Sequence, residues 1–256
     1  MKMFASAAIL FLITINAVAQ DPLKSLPDAY KLDFENQWVK VVRVHYAPNQ
    51  KLPAHEHTQT ASAYVYLNNG GPVIFKHIGL AYGAVTRPAT KAGSFRLYQA
   101  LKEIHEVENT SDLPSDFLRV EFKTDPVNEK SLRGRYYRED YPTGQNVQKV
   151  QFENEQVRIT RLVCAPSKMI DISTGSNEPS LLIALSPAQF KSGRGKGGSS
   201  DFKIGLGRTR WIDSNKQEQL ENIGEGPAEM LRIDFKTRPL STEEIEKDKK
   251  HGHTNN

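Results

Sequence analysis

The chain has 256 residues, with 34 Lys plus Arg against 30 Asp plus Glu and a net charge of +4. Charges of both signs are interspersed apart from a Lys-rich tail, so the clustered basic face that a nucleic-acid partner requires is absent. A single cysteine, Cys164, excludes an intramolecular disulfide, and stability must come from buried apolar area, enough at this length for one or two cores.

Met1-Lys2 precedes a largely apolar run from Phe4 to Ile15, and Ala17-Val18-Ala19 stands before Gln20-Asp21-Pro22. A basic start, a short apolar run and an A-x-A site describe a secretory signal peptide over residues 1–19, cut after Ala19. The run is shorter than the roughly 20 residues a membrane span needs, and no cysteine follows the site for lipid anchoring. The mature chain is expected to be periplasmic or secreted, with no membrane span after cleavage.

The rest of the chain is an internal repeat. Phe34-Glu35-Asn36 followed by Val39 to Pro48 recurs as Phe152-Glu153-Asn154 followed by Val157 to Pro166, at an offset of 118. Leu118 to Thr124 recurs as Leu231 to Thr237, at an offset of 113, with five of seven positions identical. Matches that bracket each half at nearly one offset establish a duplication.

Each half reads as β. Val39–Tyr46, Ala63–Leu67, Val73–His77, Ser94–Tyr98 and Leu118–Lys123 alternate or are rich in β-branched and aromatic residues, with turn signals between them at Asn68 to Gly71, Arg87-Pro88 and Asp112 to Pro114. In the last of these, Leu118, Val120 and Phe122 share one face and Arg119, Glu121 and Lys123 the other, the pattern of a half-buried strand. No long 3.6-residue period appears, apart from a short C-terminal helix expected near Ser241-Thr242-Glu243-Glu244. Many short strands without crossover helices predict an all-β sandwich or jelly-roll barrel.

The expected boundaries are an N-terminal barrel over 20–124, a linker over 125–147, a C-terminal barrel over 148–240 and a polar tail over 241–256. Tyr136, Tyr137 and the charges of Arg133 to Asp140 suggest a strap packed across the halves. The basic, glycine-rich stretch Lys191 to Ser200 lacks phosphate-loop spacing and reads as a hairpin loop. Cys164 sits in an alternating strand and reads as a packed residue. His251 and His253 in the tail would bind metal only adventitiously.

The chemistry-bearing segment is Pro53-Ala54-His55-Glu56-His57, followed by His105-Glu106-Val107-Glu108-Asn109. Side chains alternate along a strand, so His55 and His57 point to one side, and a third histidine from a later strand completes a three-nitrogen face for a divalent transition metal. The same alternation turns Glu56, Glu106 and Glu108 outward.

The tandem of small barrels, the first with P-x-H-x-H and then H-x-x-x-N, resembles the cupin superfamily, in its two-domain bicupin form. The resemblance covers about residues 30–124 and 148–238 and rests on Pro53, His55, His57, His105 and Asn109, with Gly70 near the close of the first motif. It implies tandem double-stranded β-helix barrels and a metal held by His55, His57 and His105. Asn49 replaces the motif's leading glycine, a substitution asparagine tolerates by entering the left-handed region. Ala61 and Ser62 stand where the family places a glutamate, leaving Gln59 or water to fill out the shell. The proline and glycine of the second motif are also absent, with Ala100 and Lys102 in that stretch.

Three neutral imidazoles bind Fe, Mn, Ni, Cu or Zn and leave positions open for a small molecule. Tyr64 and Tyr66, on one strand face, are candidate pocket walls; Phe95 and Tyr98 lie on opposite faces of another strand, so one of them points inward. His45 and His77 lack a partner motif and are expected in packing or surface roles, with a place beside the ligands inside the barrel as the alternative for His77. In the second half His55, His57 and His105 map to Ser173, Gly175 and Glu218, while Asn109 maps to Asn222. At most one metal site per chain is therefore expected, and a homodimer is compatible with the chain. The resemblance implies dioxygenase, isomerase or hydrolase chemistry without choosing among them. Non-catalytic binding of a sugar, an organic acid or a metal, and a purely structural double barrel, stand as alternatives.

Overall fold

The alternating apolar letters of the long strands fold into four antiparallel sheets, two in each half of the repeat. The computed structural model describes residues 20–58, 60–79, 81, 83–99, 103–142, 144–194 and 198–245. The N-terminal segment 1–19, Gln59, Ala100, Lys102 and the tail 246–256 lie outside the described residues. Among the described residues no helix is long and apolar enough to cross a membrane.

In the N-terminal half, β1 (Tyr30–Glu35), β2 (Val39–Tyr46), β4 (Ser62–Tyr66), β7 (Phe95–Tyr98) and β9 (Ser115–Phe122) belong to a six-stranded sheet. Its order is β1-β2-β9-β4-β7-β10, the last being β10 (Gly134–Tyr136). Facing it, β3 (Lys51–His57), β5 (Val73–His77), β6 (Ala84–Arg87) and β8 (Glu103–Asn109) form a sheet of order β3-β8-β5-β6.

The C-terminal half repeats the scheme. β11 (Val147–Glu153), β12 (Val157–Cys164), β14 (Ser180–Ala184), β17 (Thr209–Ile212) and β19 (Ala228–Phe235) run in the order β11-β12-β19-β14-β17. β13 (Met169–Asp171), β15 (Ala188–Arg194), β16 (Gly198–Ile204) and β18 (Gln219–Asn222) run in the order β13-β18-β15-β16. Position for position, the strand orders are those of the first half.

The two large sheets pack back to back. Val39, Val41, Ala63, Val65, Leu118, Val120 and Phe122 meet Val157, Ile159, Leu181, Ile183, Leu231, Ile233 and Phe235 in one buried cluster. Burying each of these valine, leucine, isoleucine and phenylalanine side chains stabilises the fold by about 1.5–3 kcal/mol. This corrects the reading of β9 as a half-buried strand, because both of its faces are covered. Its apolar face serves the contact between barrels, and its polar face turns into the N-terminal barrel, where Arg119 is 3% and Glu121 4% exposed.

The segment between the halves is fastened to both. β10 pairs with β7, Tyr136 stacks on Phe95 with ring centroids 4.6 Å apart, and Arg138 Nε donates to Glu229 Oε2 at 2.7 Å. Of the stretch read as a hairpin loop, 191–194 and 198–200 are instead paired strand of the β15–β16 hairpin, and 195–197 lie outside the described residues. Cys164 is buried, its thiol donates to the Lys168 carbonyl at 3.2 Å, and burial pushes its pKa up. At the C-terminus a helical turn at 242–245 is capped reciprocally, Glu244 N to Ser241 Oγ and Ser241 N to Glu244 Oε2. Before the first barrel, α1 (Pro22–Ser25) brings Leu23 and Leu26 onto the interior cluster that contains Tyr30, Tyr46 and Tyr64.

Candidate metal centre

A bulge in β3 aims the two histidines. Leu52 pairs with Val107 and His55 with His105, so one extra residue lies on β3 between these pairs. Without it, Leu52 and His55 would face opposite ways; with it, both are buried. Pro53 sits in the bulge, where a missing N–H costs no ladder bond. Its carbonyl accepts from His55 Nδ1 at 2.9 Å, leaving the Nε2 lone pair of the neutral ring directed inward.

The turn before β3 behaves as its sequence predicts, with Asn49 at φ 56° and its repeat counterpart Ser167 at φ 57°. Across the ladder, His77 of β5 pairs with the far side of His105. Asn109 is a brace for the loops, donating to the carbonyls of Ala47 and Leu113 at 2.9 Å each. Asn222 does the same for Cys164 and Gly226, at 2.8 Å each.

His55, His57 and His105 converge inside the N-terminal barrel. Their ring centroids are 4.8–5.1 Å apart, and one nitrogen from each lies within 4.8 Å of the others. Both nitrogens of His105 are buried without a hydrogen-bond partner. Burial lowers the pKa of all three rings, that of His57 well below the ordinary 6.5 and that of His105 to about 3, although Glu103 opposes the shift at His105. All three are neutral near pH 7, the form that ligates a metal, and the unsatisfied nitrogens of His105 fit such an ion.

Around this triad lies a charged shell that the sequence reading did not assemble. Glu103, opposite His57 on the ladder, is 1% exposed. Its carboxylate lies 3.7 Å from His77 Nε2 and 3.8 Å from both Arg87 Nη2 and Arg119 Nη1. Burial alone would raise its pKa, but His77, Arg119 and Arg87 outweigh burial and hold it well below the usual carboxylate range. Arg119 Nε lies 2.9 Å from Glu121 Oε1. The Arg87 guanidinium lies 3.9 Å over the Phe75 ring and 5.4 Å from that of Tyr64. His77, Glu103 and His105 form a second group whose ligand atoms lie within 4.8 Å of one another.

Glu103 had a signal in the sequence, since it shares strand parity with His105 and Asn109. Arg119 had one only in the sense that its alternating face needed assigning to the barrel interior. Tyr30 had none: it lies ahead of both motifs, yet its hydroxyl reaches His55 Nε2 at 2.8 Å and the Tyr46 hydroxyl at 2.7 Å.

Tyr64 and Tyr66 face the interior and, with Tyr46, Phe75, Arg87 and Phe117, line a recess of ≈ 290 Å³. Tyr98 packs edge-on to Tyr64 at 6.2 Å. Phe95 points the other way, into the cluster between the barrels, and is no part of the interior wall. Gln59 lies outside the described residues. Glu106 is exposed, and Glu108 pairs outside the barrel with Lys51 and Lys76.

No family model and no curated protein matches the chain in sequence. Solved structures do match the fold. AerE from Microcystis aeruginosa aligns with TM-score 0.56 at 12% identity, over 81% of this chain and 97% of that one. The oxalate decarboxylase of Lactobacillus farciminis, in a formate complex, aligns with TM-score 0.54 at 12% identity, over 83% and 82%. A salicylate 1,2-dioxygenase variant from Pseudoaminobacter salicylatoxidans aligns with TM-score 0.52 at 11% identity, over 78% and 70%. The fold is a bicupin.

Within this bicupin, the groups able to hold a metal among the described residues all lie in the N-terminal barrel. At the position of His105, Glu218 accepts from Ser192 Oγ and Arg210 Nη2, both at 2.6 Å. β13 ends at Asp171, before Ser173 and Gly175.

Proposed function

We propose that the N-terminal barrel holds one divalent transition metal on His55, His57 and His105 and there binds or transforms a small molecule. The observation that carries this reading is the convergence of three buried, neutral imidazoles, two unsatisfied nitrogens among them. The metal would supply Lewis acidity and open positions for a ligand. The chain's own residues shape the ligand class. Arg87 and Arg119 stand against Glu103 and Glu121 in the same interior, and the histidines are neutral, so the charge of a divalent ion is left without a counter-charge. A small anion answers that need. Oxalate decarboxylase and salicylate dioxygenase, named for acting on carboxylates, share the fold. The apolar start of the chain supports an exported protein, cut after Ala19.

The test is the metal content of the chain purified without added metal, beside a His55→Ala/His57→Ala variant. Metal near one equivalent in the first and none in the second is expected; equal content, or none in either, overturns the reading. N-terminal sequencing of the mature chain tests export.

One observation favours binding without turnover: the interior carboxylate Glu103 is engaged by two arginines and a histidine. Metal retained with neither oxygen uptake nor change of any small carboxylic acid offered would support that alternative.

A further inference from the structure

Glu103 is held among cations, and the strand positions after His57 carry no acid. The interior nevertheless holds one more oxygen donor at the triad, on a residue outside both histidine motifs. We propose that Tyr30 is the fourth protein ligand of the metal, bound through its phenolate oxygen. This rests on the three-histidine reading and adds a donor to it.

Three observations converge on Tyr30. It is 2% exposed at the start of β1, with its ring centroid 5.1 Å from that of His55 and 5.5 Å from that of His57. Its hydroxyl lies 2.8 Å from His55 Nε2, the nitrogen that the Nδ1–H bond to the Pro53 carbonyl leaves unprotonated. Two donors bound ~2.0–2.1 Å from one metal lie about 2.9 Å apart at right angles and about 3.3 Å apart at the tetrahedral angle, so the hydrogen bond holds the oxygen within about half an ångström of a neighbouring ligand position. The Tyr46 hydroxyl, 2.7 Å from that of Tyr30, supplies the support a ligating oxygen needs.

The hydrogen bonds run in one direction without the metal: Tyr46 donates to Tyr30, Tyr30 to His55 Nε2, and His55 Nδ1 to Pro53. When a divalent cation binds, the Tyr30 O–H bond breaks, its proton leaves to water, and a metal–oxygen bond forms. His55 Nε2 turns its lone pair from that proton to the metal. Tyr46 keeps its proton and continues to donate to the Tyr30 oxygen, now an anion and a stronger acceptor. No electron is transferred. The ligand set becomes three neutral nitrogens and one anionic oxygen, the charge type a histidine–glutamate set would have.

The experiment is titration of metal-free protein with Cu(II), followed by visible absorption, in the wild type, Tyr30→Phe, Tyr46→Phe and His55→Ala/His57→Ala. A phenolate-to-copper charge-transfer band is expected in the wild type, absent from Tyr30→Phe, shifted but present in Tyr46→Phe. A parallel Zn(II) titration in weak buffer near pH 7 reads released protons, with one more per zinc expected from the wild type than from Tyr30→Phe. Histidine-dependent copper binding without the band, or a band surviving in Tyr30→Phe, overturns the Tyr30 assignment alone. No histidine-dependent binding overturns the three-histidine reading as well. If Tyr30→Phe does not fold, a wild-type band that survives in both Tyr46→Phe and Tyr64→Phe supports Tyr30; a band lost in Tyr64→Phe overturns it.

Discussion

Arg43 and Arg161 are the same residue of the repeat, and each reaches across to the other's barrel. Arg43 Nη2 donates to the Gly207 carbonyl at 2.6 Å, and Arg161 Nη2 donates to the Gly93 carbonyl at 2.6 Å. The two accepting glycines are themselves repeat counterparts with positive φ, 69° and 75°. The halves are therefore joined by a reciprocal contact of the kind a two-fold dimer makes, here within one chain.

The two arginines differ in burial, and their removal is expected to differ in cost. Arg161 is wholly buried and also donates to Glu229 Oε1 at 2.5 Å and to Gln151 Oε1 at 2.9 Å. Arg161→Ala leaves Glu229 with only the half-exposed Arg138 and is expected to cost about 3 kcal/mol. The Arg43 side chain is 32% exposed, and Asp33, 10% exposed, keeps Thr209 Oγ1 as a second donor at 3.4 Å, so Arg43→Ala is expected to cost about 1 kcal/mol. Urea midpoints at an unchanged m-value check both. Equal losses would refute the assignment of the buried arginine as the dominant clasp.

Glu103 is the anionic centre of the barrel interior. Glu103→Ala leaves Arg87 and Arg119 facing the histidines with one carboxylate fewer between them. A stability loss of about 3 kcal/mol is expected, together with at least tenfold weaker metal binding, because the uncompensated arginines repel the cation. Denaturant unfolding and metal titration read the two effects separately. Unchanged affinity in a folded Glu103→Ala chain would show that the arginines are electrostatically remote from the metal.

Acid should unfold the metal-free chain earlier than an ordinary carboxylate balance predicts. His105 titrates near 3 in the folded chain against an ordinary 6.5. Between those values the unfolded chain takes up a proton that the folded chain refuses. Stability therefore falls as pH drops below about 6.5, by up to about 1.4 kcal/mol per pH unit for each such ring. His55 and His57 shift in the same direction. The groups facing His105 are His55, His57, His77, Glu103, Arg87 and Arg119. Glu103, with its depressed pKa, stabilises the fold above about 4.5 and adds to the loss below it. Unfolding midpoints of metal-free wild type and His105→Asn between pH 7 and 4.5 check this, the variant being expected to show the shallower slope. Parallel slopes would refute it.

What was readable beforehand follows from local chemistry. The duplication and the β pattern predicted two barrels because each strand's alternation repeats at nearly one offset. The spacing of His55 and His57 predicted a shared direction for the same reason. The rest depends on which face of a sheet meets which layer. In β9 the apolar face packs against the other half, so Arg119 and Glu121 turn inward, which their own alternation does not reveal. Tyr30 enters through the pairing of β1 with β2, at Val44, a relation between strands rather than a spacing along one. The bulge at Pro53 shifts parity by one residue, and only the pairing of Leu52 and His55 with β8 exposes it.

The C-terminal barrel should refuse a transplanted site. Its strand orders copy those of the first barrel, so Ser173→His/Gly175→His/Glu218→His restores the three histidine letters at their aligned positions. The backbone beneath them differs. The pairing of β13 with β18 runs on in one register, Ile172 N donating to the Glu218 carbonyl at 3.0 Å and Thr174 N to the Lys216 carbonyl at 2.9 Å. Without the bulge of β3, positions 173 and 175 therefore fall on the face opposite buried Ile170, Ile172 and Thr174. Replacing Glu218 also removes the acceptor that Ser192 and Arg210 share, leaving a cation beside the new imidazole. The triple variant is therefore expected to bind the same number of metal ions per chain as the wild type, measured by elemental analysis after dialysis, and to be less stable by about 2 kcal/mol. One additional metal, retained when His55→Ala/His57→Ala empties the first barrel, would show that ligand identity alone, without the bulge of β3, is enough to build the site.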